Sequence, residues 1–185
     1  MSAVSKPAQY EDLFALPPHV TGQIVESVLY THPRPGTAHA LAASGLGEEL
    51  GPPFKRGKGG PGGWVILFEP ELHLRADIVV PDLAGWRRER MPETPLEPFL
   101  TLAPDWLGEV LSPSTAAFDR KKKLPIYARE GVRQVWIVEP ETKTLEVFRL
   151  DGDSYRIVLV ASEDDKGRFE PFDAIELDVS ILWTR

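Results

Sequence analysis

The spacing of apolar positions changes several times along the chain, and each change marks an expected element. Tyr10–Leu16 predicts a short helix that Pro17-Pro18 ends, and the apolar, partly β-branched run Gln23–Tyr30 predicts a strand. Two prolines and a glycine put a loop at residues 31–37. His39, Ala42, Ala43, Leu46 and Leu50 then recur at helical spacing, predicting a helix over Ala38–Leu50 that Gly51-Pro52-Pro53 stops. The glycine-rich stretch from Lys55 to Gly63 reads as a mobile, hairpin-like loop. It is not a phosphate-binding P-loop, because no Gly-Lys-Ser/Thr leads into a helix.

Beyond that loop the period shortens. Strands are expected at Trp64–Phe68, Leu72–Leu74, Ile78–Val80 and Trp106–Leu111. Ser112-Pro113-Ser114-Thr115 supplies hydroxyls that can cap a helix. That helix carries Asp119, Lys123 and Tyr127 at i, i+4 and i+8, hence on one face. Pro125 must kink or split it, because its ring displaces a backbone donor, and Gly131 ends it. Gln134–Val138, Thr144–Leu150 and Ser154–Ala161 read as an antiparallel meander with Asp151-Gly152 at one hairpin, and a helix over Val179–Trp183 closes the chain. No repeat or boundary interrupts the 185 residues, so one domain over residues 1–185 is expected, with disorder in the first nine. The fold class is α/β (α+β): one sheet with helices on its faces.

Composition narrows the chemistry. There are no cysteines, which excludes disulfides, thiolate zinc sites and cysteine nucleophiles. No apolar run approaches the roughly 20 residues that span a bilayer, and Met1–Pro7 lacks the apolar core of a secretory signal, so a cytoplasmic protein without membrane contact is expected. The net charge of −7 argues against a nucleic-acid partner until its distribution is considered. Residues 139–178 hold twelve acids and five bases, which leaves the remainder of the chain neutral, with 16 of each. Its bases gather at Lys55-Arg56-Gly57-Lys58, Arg87-Arg88-Glu89-Arg90 and Arg120-Lys121-Lys122-Lys123, runs that a solvated face explains adequately.

The residues with chemical promise are Asp82, after Val79-Val80-Pro81, and Glu109, inside Gly108-Glu109-Val110-Leu111. An acid within an apolar strand run is costly unless it is paired or holds a cation. Two such acids on adjacent strands can converge on one Mg²⁺ or Mn²⁺, which takes hard oxygen ligands and keeps positions for water and substrate phosphate. Each has a plainer reading, Asp82 as a turn cap and Glu109 as a solvated acid, and Asp77 competes with Asp82 as an acid entering a strand. His39 fits a satisfied helix histidine better than a ligand, and Tyr127 fits core packing with a bonded hydroxyl. No Gly-x-Ser-x-Gly or His-Glu-x-x-His occurs.

Pro81-Asp82, the run from Glu109 through Val110-Leu111-Ser112-Pro113-Ser114-Thr115, then Asp119, Lys123, Tyr127, Gly131-Val132 and Trp136-Ile137-Val138 resemble the bacterial Uma-type family. That family is placed with restriction endonucleases in the PD-(D/E)xK superfamily. The resemblance implies a restriction-endonuclease-like mixed sheet flanked by helices, with the acids at one edge. It implies Asp82 and Glu109 as metal ligands for Mg²⁺ or Mn²⁺ and Lys123 as a catalytic ammonium, since Leu111 stands where the wider superfamily has its lysine. Gln23 occupies the position of an early acid, with Glu26 the nearest carboxylate. The expected function is therefore Mg²⁺-dependent hydrolysis of nucleic acid, DNA before RNA. The rival is a non-catalytic nuclease-like scaffold that binds a partner, as a homodimer in one version.

Overall fold

The computed structural model describes residues 6–184, so the expectation for the first nine residues falls largely outside them. The chain begins with a short helix α1 (Tyr10–Phe14) and a hairpin of β1 (Val20–Val25) and β2 (Val28–Pro33). One strand was expected over Gln23–Tyr30; the structure turns within it, with Glu26 and Ser27 both at positive φ (53° and 63°). Neither residue advertises a left-handed turn. The turn is stabilised from elsewhere in the chain, since the Glu26 amide donates to Asp77 Oδ1 (2.7 Å).

Helix α2 (Thr37–Leu50) runs straight into a wide π turn over Gly51–Lys55 instead of stopping at Gly51. The closing bond runs from the Arg56 amide to the Gly51 carbonyl (3.1 Å), so Pro52 and Pro53 are never asked for the amide hydrogens they lack. After it come β3 (Trp64–Phe68), β4 (Leu72–Leu74), β5 (Asp77–Val79) and β6 (Leu83–Arg87). The sequence did not suggest β6, because Gly85 and the charged residues that follow mask its apolar run. β7 (Trp106–Val110) leads to α3 (Ala116–Phe118) and α4 (Leu124–Arg129), separated by a π turn over Asp119–Lys123. The expected split is thus realised just ahead of Pro125, which lies in the first turn of α4, where a missing amide hydrogen costs nothing. β8 (Gln134–Glu139), β9 (Thr144–Asp151) and β10 (Ser154–Ser162) form the expected meander. The short pair β11 (Lys166–Gly167) and β12 (Leu177–Asp178) precedes a closing 3₁₀ helix over Val179–Leu182, where a short helix was expected.

The strands form more than the single sheet expected. A six-stranded sheet has the order β10-β9-β8-β7-β6-β3, antiparallel except for the parallel pair β7–β8, and a four-stranded sheet has the order β2-β1-β5-β4. Strand alternation sorts the core onto the two faces of the larger sheet. Trp64, Trp106, Trp136 and Val138 pack with Leu46, Leu50 and Phe172 on one face. Val65, Leu107, Val135 and Ile137 pack with Ile126 and Tyr127 on the other. Gly108 is required on the first face, where an added Cβ would lie 3.0 Å from the Trp106 ring. The residue after it, Glu109, consequently points to the α4 side.

Candidate active site

Asp82 sits on the crossover between the two sheets, immediately before β6, and Glu109 sits near the end of β7. β6 and β7 are adjacent and antiparallel with Leu83 opposite Gly108, so the register alone makes Asp82 and Glu109 neighbours. They lie at an end of interior strands, not at the sheet edge the resemblance suggested. Both line one cleft of about 330 Å³, together with Asp119, Lys123 and His39. α1 and the start of β1 wall its mouth with Leu13, Phe14, Leu16 and Val20.

At its floor, Glu109 is 2% exposed and Lys123 is 2% exposed. The Lys123 ammonium donates to both Glu109 oxygens (2.7 Å to Oε1, 2.8 Å to Oε2), lies 3.2 Å from Asp119 Oδ1, and donates to the Val80 carbonyl at 3.2 Å. The Tyr127 hydroxyl donates to Glu109 Oε1. Asp82 is held separately: its Oδ2 accepts from the Val110 amide (2.7 Å) and its Oδ1 lies 2.9 Å from His39 Nε2. The two-residue alternation of β7 and the i, i+4 spacing across the π turn therefore bring Glu109, Asp119, Lys123 and Tyr127 into one bonded group, with Asp82 lining the same cleft.

The charges of this group are strongly perturbed. Burial pushes the Glu109 carboxyl up to about 8; Lys123 pulls it down, but Asp119 and Asp82 add to the rise. For Lys123, burial works against the ammonium, and the carboxylates of Glu109, Asp119 and Asp82 outweigh it and hold its pKa above the ordinary lysine value. His39 follows the same logic, since burial lowers it and the Asp82 carboxylate more than restores it. Burial lowers His32, and Asp119 offsets only part of that.

Sequence reasoning missed part of the site. His39 was read as a helix histidine, whereas it reaches Asp82; its position on the apolar face of α2 was the visible sign. Glu69 and Glu71 also line the cleft, brought in by the turn between β3 and β4, for which the sequence carried no signal. Gln23 lines the cleft too, but its Oε1 accepts from the Val80 amide (2.9 Å). Asp77 takes a different part: it is 3% exposed, lies 2.9 Å from the Arg129 guanidinium, and secures the β1–β2 turn. Glu26 pairs with Lys122 at 2.6 Å.

The donor set suits a hard divalent cation. Asp82, Glu109 and Asp119 bring three acids against the Lys123 ammonium and the His39 imidazole. Among the described residues, no group of three or more His, Cys, Asp or Glu side chains is spaced to hold a metal. Mg²⁺ does not require one, because it commonly takes one or two carboxylates and fills its octahedron with water and substrate oxygens. Asp82 and Glu109 could serve as that pair.

The fold is nuclease-like. It superposes with a TM-score of 0.77 on a crystal structure described as a putative nuclease belonging to DUF820 from Anabaena variabilis, at 20% identity over 96% of this chain and 98% of that one. Residues 7–180 match the Uma2 family, described as "Putative restriction endonuclease", and the chain belongs to that family. Among proteins of curated function, none matches it. No helix among the described residues is long and apolar enough to cross a membrane.

Proposed function

We propose that the chain is a Mg²⁺- or Mn²⁺-dependent endonuclease that hydrolyses phosphodiester bonds of nucleic acid, DNA in preference to RNA. The observation that carries this reading is the buried Lys123 ammonium on both oxygens of Glu109, in the cleft that Asp82 also lines. Asp82 and Glu109 would hold the metal, which when bound lowers the pKa of a water and neutralises charge on the phosphate. Tyr127 and Lys123 fix the Glu109 carboxylate in one rotamer, and the Val110 amide and His39 fix Asp82. Lys123 also places a positive charge at the cleft, which favours negative charge developing on a phosphate nearby.

The test is direct. Purified protein incubated with duplex and single-stranded DNA and with RNA should cut in Mg²⁺ or Mn²⁺. Glu109→Gln should lose at least about 100-fold in rate, a typical loss for a principal electrostatic group. Equal rates for both proteins would end the proposal.

A second reading, a nuclease-like module that binds without cutting, is favoured by the acidity of the cleft. Its lining includes five carboxylates, Glu69, Glu71, Asp82, Glu109 and Asp119, against a lysine already committed to three partners. Under this reading millimolar Mn²⁺ neither binds nor stabilises the protein.

A further inference from the structure

Three basic runs stand in the sequence, and the fold treats them differently. The run from Arg120 to Lys123 is neutralised internally: Arg120 lies 2.6 Å from Glu146, Lys122 pairs with Glu26, and Lys123 pairs with Glu109. The β3–β6 pairing sets Trp64 opposite Arg87 and so brings the end of the glycine-rich loop that carries the first run against the second. The Arg88 amide donates to the Gly63 carbonyl (2.8 Å), and the Arg87 guanidinium lies 4.1 Å over the Trp64 ring. Arg90 pairs with Asp105 and Lys55 donates to the Ile66 carbonyl. Arg56, Lys58, Arg87 and Arg88 are exposed and form no ion pair among the described residues. Glu89 is the one acid within the two runs.

From this arrangement we propose a separate docking surface for the phosphate backbone of nucleic acid, formed by Arg56, Lys58, Arg87 and Arg88 at the end of the large sheet opposite the carboxylate cleft. The identity of the ligand rests on the nuclease reading. The Arg88 guanidinium donates to the Trp64 carbonyl (3.4 Å), and like charges that lack a counter-charge repel one another, an arrangement expected where a polyanion completes it. The loop that carries Arg56 and Lys58 is packed, contrary to the mobile loop expected from its glycines. The Lys58 amide donates to the Pro52 carbonyl and the Gly62 amide to the Pro53 carbonyl, both at 2.8 Å. Gly60 lies so close that an added Cβ would stand 2.5 Å from the Pro53 Cβ. The backbone that carries the charges is therefore held in place before binding, which lowers the entropic cost of engaging a phosphate chain.

Position supports the same conclusion. The cleft itself presents five carboxylates to an approaching phosphate chain and a lysine committed elsewhere, so backbone binding must come from another surface. Asp82 immediately precedes β6 and Arg87 ends it, a separation of five residues, or about 17 Å at about 3.4 Å each. That is about five base-pair steps along a duplex.

The experiment is fluorescence anisotropy of a short labelled duplex and its single strand with the full chain in EDTA, across a salt series. Wild-type protein should bind with salt-sensitive affinity. Arg56→Gln/Lys58→Gln/Arg88→Gln should bind at least about tenfold more weakly at low salt, with a log–log slope shallower by about 2.7, close to 0.9 per lost phosphate contact. Lys121→Gln/Arg133→Gln/Lys143→Gln, which removes the same charge elsewhere on the surface, should change affinity little. The proposal is overturned if the wild type shows no salt-sensitive binding, if the patch variant binds like it, or if the control variant loses as much. Retained, patch-dependent binding by a protein that cuts nothing would sink the nuclease reading and leave the docking surface standing.

Discussion

The ammonium of Lys123 bridges both carboxylate oxygens of Glu109, at 2.7 and 2.8 Å, with each side chain only 3% exposed. In water such a pair contributes little; in the interior, both charges have lost hydration that only their partners replace. The geometry makes each residue a condition for the other's charge.

A double-mutant cycle follows from this. Glu109→Gln or Lys123→Met alone should destabilise the fold by about 3–5 kcal/mol, because each leaves a buried charge without its main partner. The double variant should cost clearly less than the sum, with a coupling of about 2 kcal/mol or more. Urea unfolding of the four proteins measures it. Additive losses would mean that the pair is not energetically coupled, and the ammonium would then be free to serve another partner.

Metal addition separates the two functional readings. A cation that binds the native state at a hundredfold excess over its Kd adds about 2.7 kcal/mol of stability. For a chain of this size that is a rise in Tm of several degrees. Mn²⁺ should raise the Tm of the wild type, and Asp82→Asn should abolish most of the rise. A wild type indifferent to millimolar Mn²⁺ would favour the module that binds without cutting.

Much of this arrangement was legible in the residues, for identifiable reasons. Glu109 drew attention because an acid among Trp106, Leu107, Val110 and Leu111 has no solvent to face. Asp119, Lys123 and Tyr127 declared a shared face through i, i+4 spacing, and that spacing survives the π turn that splits their helix. Partners that depend on backbone groups or on remote chain were not legible. The Val80 carbonyl under Lys123, the Val110 amide on Asp82 and the Asp77 carboxylate beneath the Glu26–Ser27 turn leave no trace in local pattern. The same holds for the pairing of Trp64 with Arg87, which sets β3 against the second basic run. β6 escaped because its apolar run is broken by Gly85, whose missing side chain makes room for the Trp64 and Trp106 rings.

The turn between β1 and β2 offers a test of the fold that avoids the cleft. Ser27 adopts φ of 63°, a left-handed conformation that costs a non-glycine residue about 1–2 kcal/mol. Ser27→Gly should therefore stabilise the protein, by about 1 kcal/mol once the extra freedom of glycine in the unfolded chain is subtracted. A loss of stability on urea unfolding would show that the hairpin does not turn at these residues.

The histidine on Asp82 should make stability depend on pH with a definite sign. His39 lies 2.9 Å from Asp82 Oδ1, and that contact raises its folded pKa above the usual 6.5 despite burial. A histidine raised on folding contributes stability that is complete below its unfolded pKa and is lost as pH rises through its folded value. The stability difference between wild type and His39→Gln should therefore be largest near about pH 5.5 and shrink by about pH 8.5. His32 acts in the opposite direction, because burial lowers its pKa, so the fold loses some of its stability when acid charges that ring. It is present in both proteins, however, and cancels in the difference. Urea titrations of the pair at the two pH values give the sign directly. A difference that grows with pH would mean that the imidazole is neutral against Asp82, which would leave the carboxylate without the charged neighbour assigned to it.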